Sequence, residues 1–421
     1  MNFKKNKIFS SFLIIFTGTA FAQLLNILFS PIITRIYTPE EFGIVAIFTV
    51  FIGLFSIATL KYEMAIPIAK SDNQALILFI SSVLISIFFN LLLLLNIFLF
   101  RTQINNIFGF ENFEYIVLLI PLGALLISLF NISREWAIRK NLYKEISKAS
   151  VIQSASGNIA KVIFGLLGFS VMGLAVARIV TGSLGFLSLA KGEFSRLKNI
   201  LRDTKLKDIF NVLYRFKDFA FYMAPNSLIV VFATQFPLLT ISVLFEPETV
   251  GYYSLAHTII MLPIAIIGDS IADVFYSESA KSIKNKPLSI IALCKRVVLK
   301  MALISFIPAI ILILLGPRLF VFIFGNDWYY AGVFSQLLSI VLIAKMTFHP
   351  VNKIFELIEK QKYKFYINLI QILLLCVLFV ISYSLNIEPV HYIFIYSCII
   401  FFMNGILFTW SYVLLKRYVK I

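Results

Sequence analysis

The chain has 421 residues, of which 60% are hydrophobic and only 14% are charged. With a mean hydropathy of +0.92, this composition excludes an ordinary soluble domain. Lys and Arg (37) outnumber Asp and Glu (21), giving a net charge of +16, but the basic residues are spread over separate short segments. The positive charge therefore does not predict a nucleic-acid-binding protein.

Apolar stretches of about 20 residues, long enough to cross a hydrocarbon core of roughly 30 Å, recur along the whole chain. Their length and uniform apolarity favour helices over barrel strands. The sequence predicts an all-α integral membrane protein with twelve transmembrane helices, at 8–33, 42–60, 74–100, 115–133, 149–169, 171–190, 219–244, 251–275, 297–316, 329–349, 365–385 and 391–415.

The distribution of Lys and Arg predicts how these helices are oriented. If the N-terminus is cytoplasmic, 30 of the 37 basic residues fall in inside segments and four lie within the predicted helices. Only Arg35, Arg101 and Arg318 fall in outside loops. Because positive charge collects on the cytoplasmic side of a membrane, both termini are predicted to be cytoplasmic.

Two short motifs occur once in each half of the chain. Pro31–Thr34 and Pro39–Gly43 correspond to Pro237–Thr240 and Pro247–Gly251. Repeats of this kind build transporters from two bundles with a substrate path between them. We therefore expect two six-helix bundles around a central cavity.

The predicted domain limits are 1–190 for the N-terminal bundle, 191–218 for a basic cytoplasmic connector and 219–421 for the C-terminal bundle. The connector is expected to lie on anionic membrane lipids as an amphipathic segment. A direct role in capturing a substrate phosphate is the alternative.

Nothing in the sequence predicts an enzyme. The chain has no nucleotide-binding or nucleophile motif, and its three cysteines and three histidines are scattered. We expect no catalytic residue, cofactor or metal site. The outside loops are also too short for the external domain that a polysaccharide polymerase or ligase would need.

Polar and basic residues inside the predicted helices are the candidate substrate-binding residues, because charge in the membrane interior is costly and is retained for function. Several share helical faces that could line one hydrated cavity: Gln23 and Asn26 in helix one, Asn158 and Lys161 in helix five, Arg178 in helix six. For Lys161, Arg178 and Lys345 the alternative is snorkelling to the headgroups. For the glycines beside them it is close helix packing.

Three further residues are candidates for coupling transport to an ion. Asp269 and Asp273 are four residues apart on one helix face, and His257 lies in the same predicted helix. Pairing of the carboxylates with a basic neighbour, and an ordinary interior role for His257, are the alternatives. Lys61 and Glu63 are expected among the headgroups.

At several places the amino-acid sequence resembles that of Wzx-type O-antigen flippases. Gly18–Gln23 and Ser30–Gly43 resemble the first span and turn of that family, and Lys61–Ile66 resembles the segment after span two. Phe324–Gly332, with Pro350 closing span ten, looks like the family's C-terminal half. The matches cover both halves of the chain.

The resemblance implies the multidrug/oligosaccharidyl-lipid/polysaccharide exporter fold. It also implies the substrate, an undecaprenyl-pyrophosphate-linked oligosaccharide moved across the bacterial plasma (inner) membrane for O-antigen, lipopolysaccharide or another surface polymer. Family cavities are lined by basic residues, which fits Lys161 and Arg178, while Pro31 and Arg35 match the motif and could serve the turn or the substrate.

Several functional alternatives stay open at the sequence level. They are a cation-coupled multidrug exporter, a lipid II flippase of the same fold and, in the enzyme class, a membrane-embedded polymerase or ligase. A polysaccharide polymerase and a chain-length regulator are candidate partners.

Overall fold

A computed structural model describes residues 7–108, 113–190, 206–282, 287–358 and 360–420. Within these ranges the chain is helical and has no β-strand. The α-helices are α1 (Lys7–Thr34), α2 (Pro39–Phe55), α3 (Asp72–Phe108), α4 (Phe113–Val117), α5 (Ile120–Arg139), α6 (Tyr143–Leu166), α7 (Ser170–Ala190), α8 (Leu206–Arg215), α9 (Ala224–Leu244), α10 (Pro247–Pro263), α11 (Asp269–Ser282), α12 (Pro287–Phe324), α13 (Tyr329–Phe348), α14 (Ile354–Leu357), α15 (Gln361–Leu385) and α16 (Pro389–Lys420).

Ten helical segments of the described chain are long and apolar enough to cross a membrane. The segment Ser170–Phe186 in α7 is apolar but shorter, and α6 is not among the ten. These two helices are the sixth and fifth predicted spans, and polar residues lower the mean hydropathy of α6. The chain is a multi-pass, all-helical membrane protein; the count of twelve spans stays a prediction.

The chain divides into two compact units, Met1–Leu239 and Thr240–Ile421. The division falls inside α9, beyond the connector that the sequence predicts as the boundary. In the first unit α6 packs along α1 and α7, and α3 packs on α5 and α8. In the second unit α13 packs on α10, α12 and α16.

The second repeated motif begins a helix in both units. Pro39 is the first residue of α2, and Pro247 is the first residue of α10. Proline suits this position because its fixed φ is helical and its missing N–H has no intrahelical partner. Thr38, which precedes Pro39, forms a reciprocal capping box with Glu41. The Thr38 N–H donates to Glu41 Oε2 at 2.8 Å, and the Glu41 N–H donates to the Thr38 hydroxyl oxygen. Such caps contribute about 1 kcal/mol.

The predicted connector is only partly described, since residues 191–205 lie outside the described ranges. Its last part forms α8, whose Val212 is buried in an apolar cluster that includes Phe79 and Trp136. Phe210 and Tyr214 of α8 are exposed and stack on each other, with ring centroids 6.5 Å apart. One side of α8 therefore packs into the first unit and another side exposes aromatic rings, while the membrane-bound connector stays a prediction.

Candidate functional site

Glycines allow very close packing of α6 against its neighbours. A Cβ added at Gly157 of α6 would lie 1.9 Å from Thr181 Oγ1 of α7. A Cβ added at Gly18 of α1 would lie 1.8 Å from Ser147 Oγ of α6. Real Cβ atoms cannot come this close, so the backbones approach only because these residues are glycines.

The close packing brings two predicted site residues, Asn26 and Asn158, into direct contact. Asn158 Nδ2 donates to Asn26 Oδ1 at 2.7 Å, and Ser154 Oγ donates to the same oxygen at 2.7 Å. Ser154 Oγ is also 2.7 Å from the Ala22 carbonyl. Asn158 is buried, whereas Asn26 is exposed and its amide nitrogen donates to no acceptor among the described residues. That amide can therefore donate to a ligand.

Gln23 lies on α1 one turn before Asn26 and is partly buried. Arg35 is exposed in the turn that follows α1. In the same turn the Tyr37 hydroxyl donates to the Lys161 carbonyl at 2.8 Å. Burial, together with the charge of Glu41, raises the pKa of Tyr37 to about 12, so the phenol stays a donor. This bond ties the turn to α6.

Lys161 and Arg178 form a pair of uncompensated cations beside this cluster. Lys161 follows Asn158 by one turn of α6, and Arg178 precedes Thr181 by one turn of α7. Both are partly buried and lie close enough for their charges to repel. Within the described ranges, neither the ammonium group of Lys161 nor the guanidinium group of Arg178 pairs with a carboxylate. Two neighbouring cations without counter-charge form a natural site for an anion.

The second unit brings together two candidate residues, His257 and Lys345, that no pattern in the sequence links. Lys345 Nζ lies 3.8 Å from Met261 Sδ, and its charge acts on His257. The His257 ring stacks on Tyr253 at a centroid distance of 5.4 Å. Among the described residues no carboxylate pairs with Lys345, so the second unit also holds a cation beside a titratable ring.

The two candidate carboxylates for ion coupling each have a basic partner. Asp269 Oδ1 lies 3.0 Å from His349 Nε2, and Asp273 Oδ1 lies 2.5 Å from Lys353 Nζ. Both aspartates are more than half exposed. The pairing matches the alternative interpretation of these residues, while a role in ion coupling stays a prediction.

One residue, Glu63, is more buried than the sequence suggests. Its side chain is 3% exposed, and Lys61 Nζ lies 3.6 Å from Oε1. Glu63 Oε2 is buried without a hydrogen-bond donor among the described residues. The protein therefore encloses the Glu63 carboxylate, and the expected location of this residue among the headgroups stays a prediction. No periodicity marks Glu63 as interior, because the turn that carries it is a 3₁₀ segment, Tyr62–Ala65.

The chain matches a known protein family over most of its length. Residues 32–332 match the family described as "Polysaccharide biosynthesis protein". The chain is 24% identical over 350 residues to the succinoglycan biosynthesis transport protein ExoT of Rhizobium meliloti (strain 1021). That match covers 80% of this chain and 66% of ExoT, so the chain spans slightly less than two thirds of that relative's length.

Solved structures share the fold at low sequence identity. An inward-facing multidrug resistance MATE family transporter of the MOP superfamily superposes with a TM-score of 0.71 at 16% identity, covering 94% of this chain and 96% of that one. The lipid II flippase MurJ, in an inward closed conformation, gives 0.69 at 15% identity, covering 94% and 86%. These similarities show the fold alone; with the family match, they confirm the resemblance seen in the sequence.

Proposed function

Because the chain belongs to the polysaccharide biosynthesis protein family, we propose that it is a flippase for undecaprenyl-pyrophosphate-linked oligosaccharide repeat units. It moves them from the inner to the outer leaflet of the bacterial plasma membrane, for O-antigen or another surface polysaccharide. In this proposal the protein is a transporter and not an enzyme, and both termini are cytoplasmic. Its twelve helices form two bundles around a cavity that opens alternately to each side.

The observation that carries the proposal is the uncompensated pair Lys161 and Arg178 beside the Asn26–Asn158 amides. A guanidinium and an ammonium match the oxygens of a pyrophosphate, and the free amide of Asn26 can donate to a sugar hydroxyl. An exporter of cationic drugs would require acidic residues at this place. Lys345 and His257 provide a second basic position, in the other unit, for the same anionic cargo.

The membrane potential can supply part of the driving force. With the cell interior negative, outward movement of an anion is favoured by roughly 2.3 kcal/mol per charge per 100 mV. Two pyrophosphate charges crossing the full field would gain about 4–5 kcal/mol without ATP. Asp269, Asp273 and His257 are the residues through which an ion could contribute further.

The proposal is tested by analysing lipid-linked intermediates in a strain deleted for this gene. We expect loss of surface polymer and accumulation of complete repeat units on the cytoplasmic leaflet, identified by mass. Unchanged polymer with increased sensitivity to cationic drugs would contradict the proposal. Accumulation of lipid II instead would assign the chain to peptidoglycan precursor transport.

Complementation with variants then tests the site. Arg178→Ala should lower the export rate roughly 10- to 100-fold, because a charge-assisted hydrogen bond contributes about 1.5–3 kcal/mol. Arg178→Lys keeps the charge and should be partly active. Lys364→Ala is the control, since Lys364 pairs with Glu356 at 3.0 Å outside the site. Full export by Arg178→Ala would remove Arg178 from the site.

A further inference from the structure

The first unit contains an apolar cavity of about 360 Å³ that the proposed substrate site does not use. Its walls come from the end of α2 and the turn after it, from the middle of α3 and from the start of α9. Phe55, Leu60, Phe89 and Leu228 are representative lining residues. The volume falls within the range of small-molecule pockets, from about 300 to 1,000 Å³.

The cavity exists because the helix of span two is broken. Helix α2 ends at Phe55 and continues as a 3₁₀ segment, Ser56–Thr59. Leu60 (φ 53°) and Lys61 (φ 60°) then both adopt the left-handed conformation. Two successive non-glycine residues in this conformation cost free energy that the surrounding structure must offset. The cavity is therefore formed by the conformation of the backbone and not by a gap between flexible side chains.

The lining chemistry selects a hydrocarbon chain and excludes a charged headgroup. None of the lining residues is charged, and only Asn90 and Asn96 are polar. Both amides donate to backbone carbonyls of their own helix, Asn90 to Ser86 and Asn96 to Leu92, each at 2.8 Å. Asn90 Oδ1 is buried without a hydrogen-bond donor among the described residues.

We expect the cavity to face the hydrocarbon of the membrane. All lining residues except Leu60 belong to segments that are apolar enough to span a membrane: Pro39–Thr59, Asp72–Phe100 and Phe219–Leu244. At the rim, Phe89, Leu92 and Leu228 are 37%, 44% and 43% exposed. A chain embedded in the bilayer can therefore enter from the side without crossing water.

We propose that this cavity holds part of the isoprenoid tail of the lipid-linked substrate during translocation. The inference rests on the proposed function, in which a pyrophosphate headgroup meets Lys161 and Arg178 while its tail must stay in an apolar environment. The rings of Phe55 and Phe89 would contact the tail's double bonds. A specific site would keep the tail attached to the first unit as the headgroup moves.

The test is photolabelling of the full chain in lipid nanodiscs with a polyprenyl pyrophosphate that carries a diazirine on its tail. We expect labelled peptides to contain 54–60 and 89–96, with labelling competed by unlabelled polyprenyl pyrophosphate and not by excess phospholipid. Equal labelling of these peptides by a diazirine-bearing phosphatidylglycerol, without competition, would show ordinary boundary lipid and overturn the inference.

Leu92→Trp partly fills the cavity from its exposed rim, where a larger side chain can be accommodated. It should reduce cavity labelling about tenfold or more, because displacing two methylene groups from an apolar contact changes binding by roughly that factor. Val377→Trp is the matched control, since Val377 is 53% exposed in the second unit. Unchanged labelling of Leu92→Trp would also overturn the inference.

The outcomes separate this inference from the proposed function. If the wild-type chain exports repeat units and Arg178→Ala does not, but cavity labelling is absent, the tail site is wrong and the flippase function stands. If the wild-type chain neither exports repeat units nor binds the polyprenyl probe, both are wrong. Labelling that is lost in Leu92→Trp and retained in Arg178→Ala would support a tail site independent of the headgroup.

Discussion

The contact between Gly157 and Thr181 sets how closely α6 and α7 approach, and it can be tested with a single methyl group. In Gly157→Ala the new Cβ would lie 1.9 Å from Thr181 Oγ1, 2.9 Å from its Cβ and 3.1 Å from its Cγ2. Rotation of Thr181 cannot relieve all three contacts, so the two helices must separate. Overpacking of this kind costs typically about 1–3 kcal/mol.

Gly53→Ala provides the matched control. Gly53 lies in α2, and a Cβ added there meets no atom within 4 Å. Both variants gain the helix propensity of alanine, up to about 1 kcal/mol. The difference between them isolates the steric effect, so Gly157→Ala should be less stable than Gly53→Ala by about 1–3 kcal/mol.

The measurement is equilibrium unfolding in mixed SDS micelles, together with the export rate of each variant. Because Lys161 and Arg178 lie on the two helices that separate, export should also fall in Gly157→Ala. Thr181→Gly should restore stability to Gly157→Ala, giving a non-additive cycle as expected for residues in contact. If Gly157→Ala is as stable and active as Gly53→Ala, the described packing of α6 on α7 is wrong.

Three further changes test the surroundings of the site. Tyr37→Phe removes the hydrogen bond to the Lys161 carbonyl and should cost about 0.5–1.5 kcal/mol by the same unfolding assay, with little change in export; a complete loss of export would give the phenol a direct role. Asn26→Ala leaves the buried Asn158 amide without its acceptor, while Ser154 keeps the Ala22 carbonyl, and should cost about 1–3 kcal/mol; unchanged stability would contradict the network. Asp273→Asn breaks an exposed pair with Lys353 and should cost less than about 1 kcal/mol; if export in proteoliposomes also loses its response to an imposed proton gradient, Asp273 couples transport to protons.

The local features of the fold could be predicted from the sequence because they depend on neighbouring residues. Pro39 and Pro247 are the first residues of helices in both units, three and four residues before the predicted spans begin. Asn158 and Lys161 share a face of α6 because helical spacing places residues three apart on one side. The contact of Asn158 with Asn26 required only that α1 and α6 pack along their small, polar faces.

Other features depend on distant parts of the chain. His257 and Lys345 come together because α10 packs on α13, and no spacing in the sequence specifies that pairing. Glu63 is buried because two left-handed residues precede its 3₁₀ turn and redirect the chain. Left-handed backbone at leucine and lysine is uncommon, so the sequence around Leu60 gives no signal for the turn or for the cavity beside it.

Two acid–base contacts of the second unit, Asp269–His349 and Asp273–Lys353, lie one after the other with a defined register. Asp269 and Asp273 are four residues apart, and so are their partners His349 and Lys353, in the same order. The two segments therefore run in the same direction where they meet. A slide of α11 by one turn, about 5.4 Å, would bring one aspartate opposite the other's partner. One aspartate would then contact a new partner and the other would lose its partner. Sliding along the helix axis would therefore break fewer of these contacts than lateral separation of the two segments.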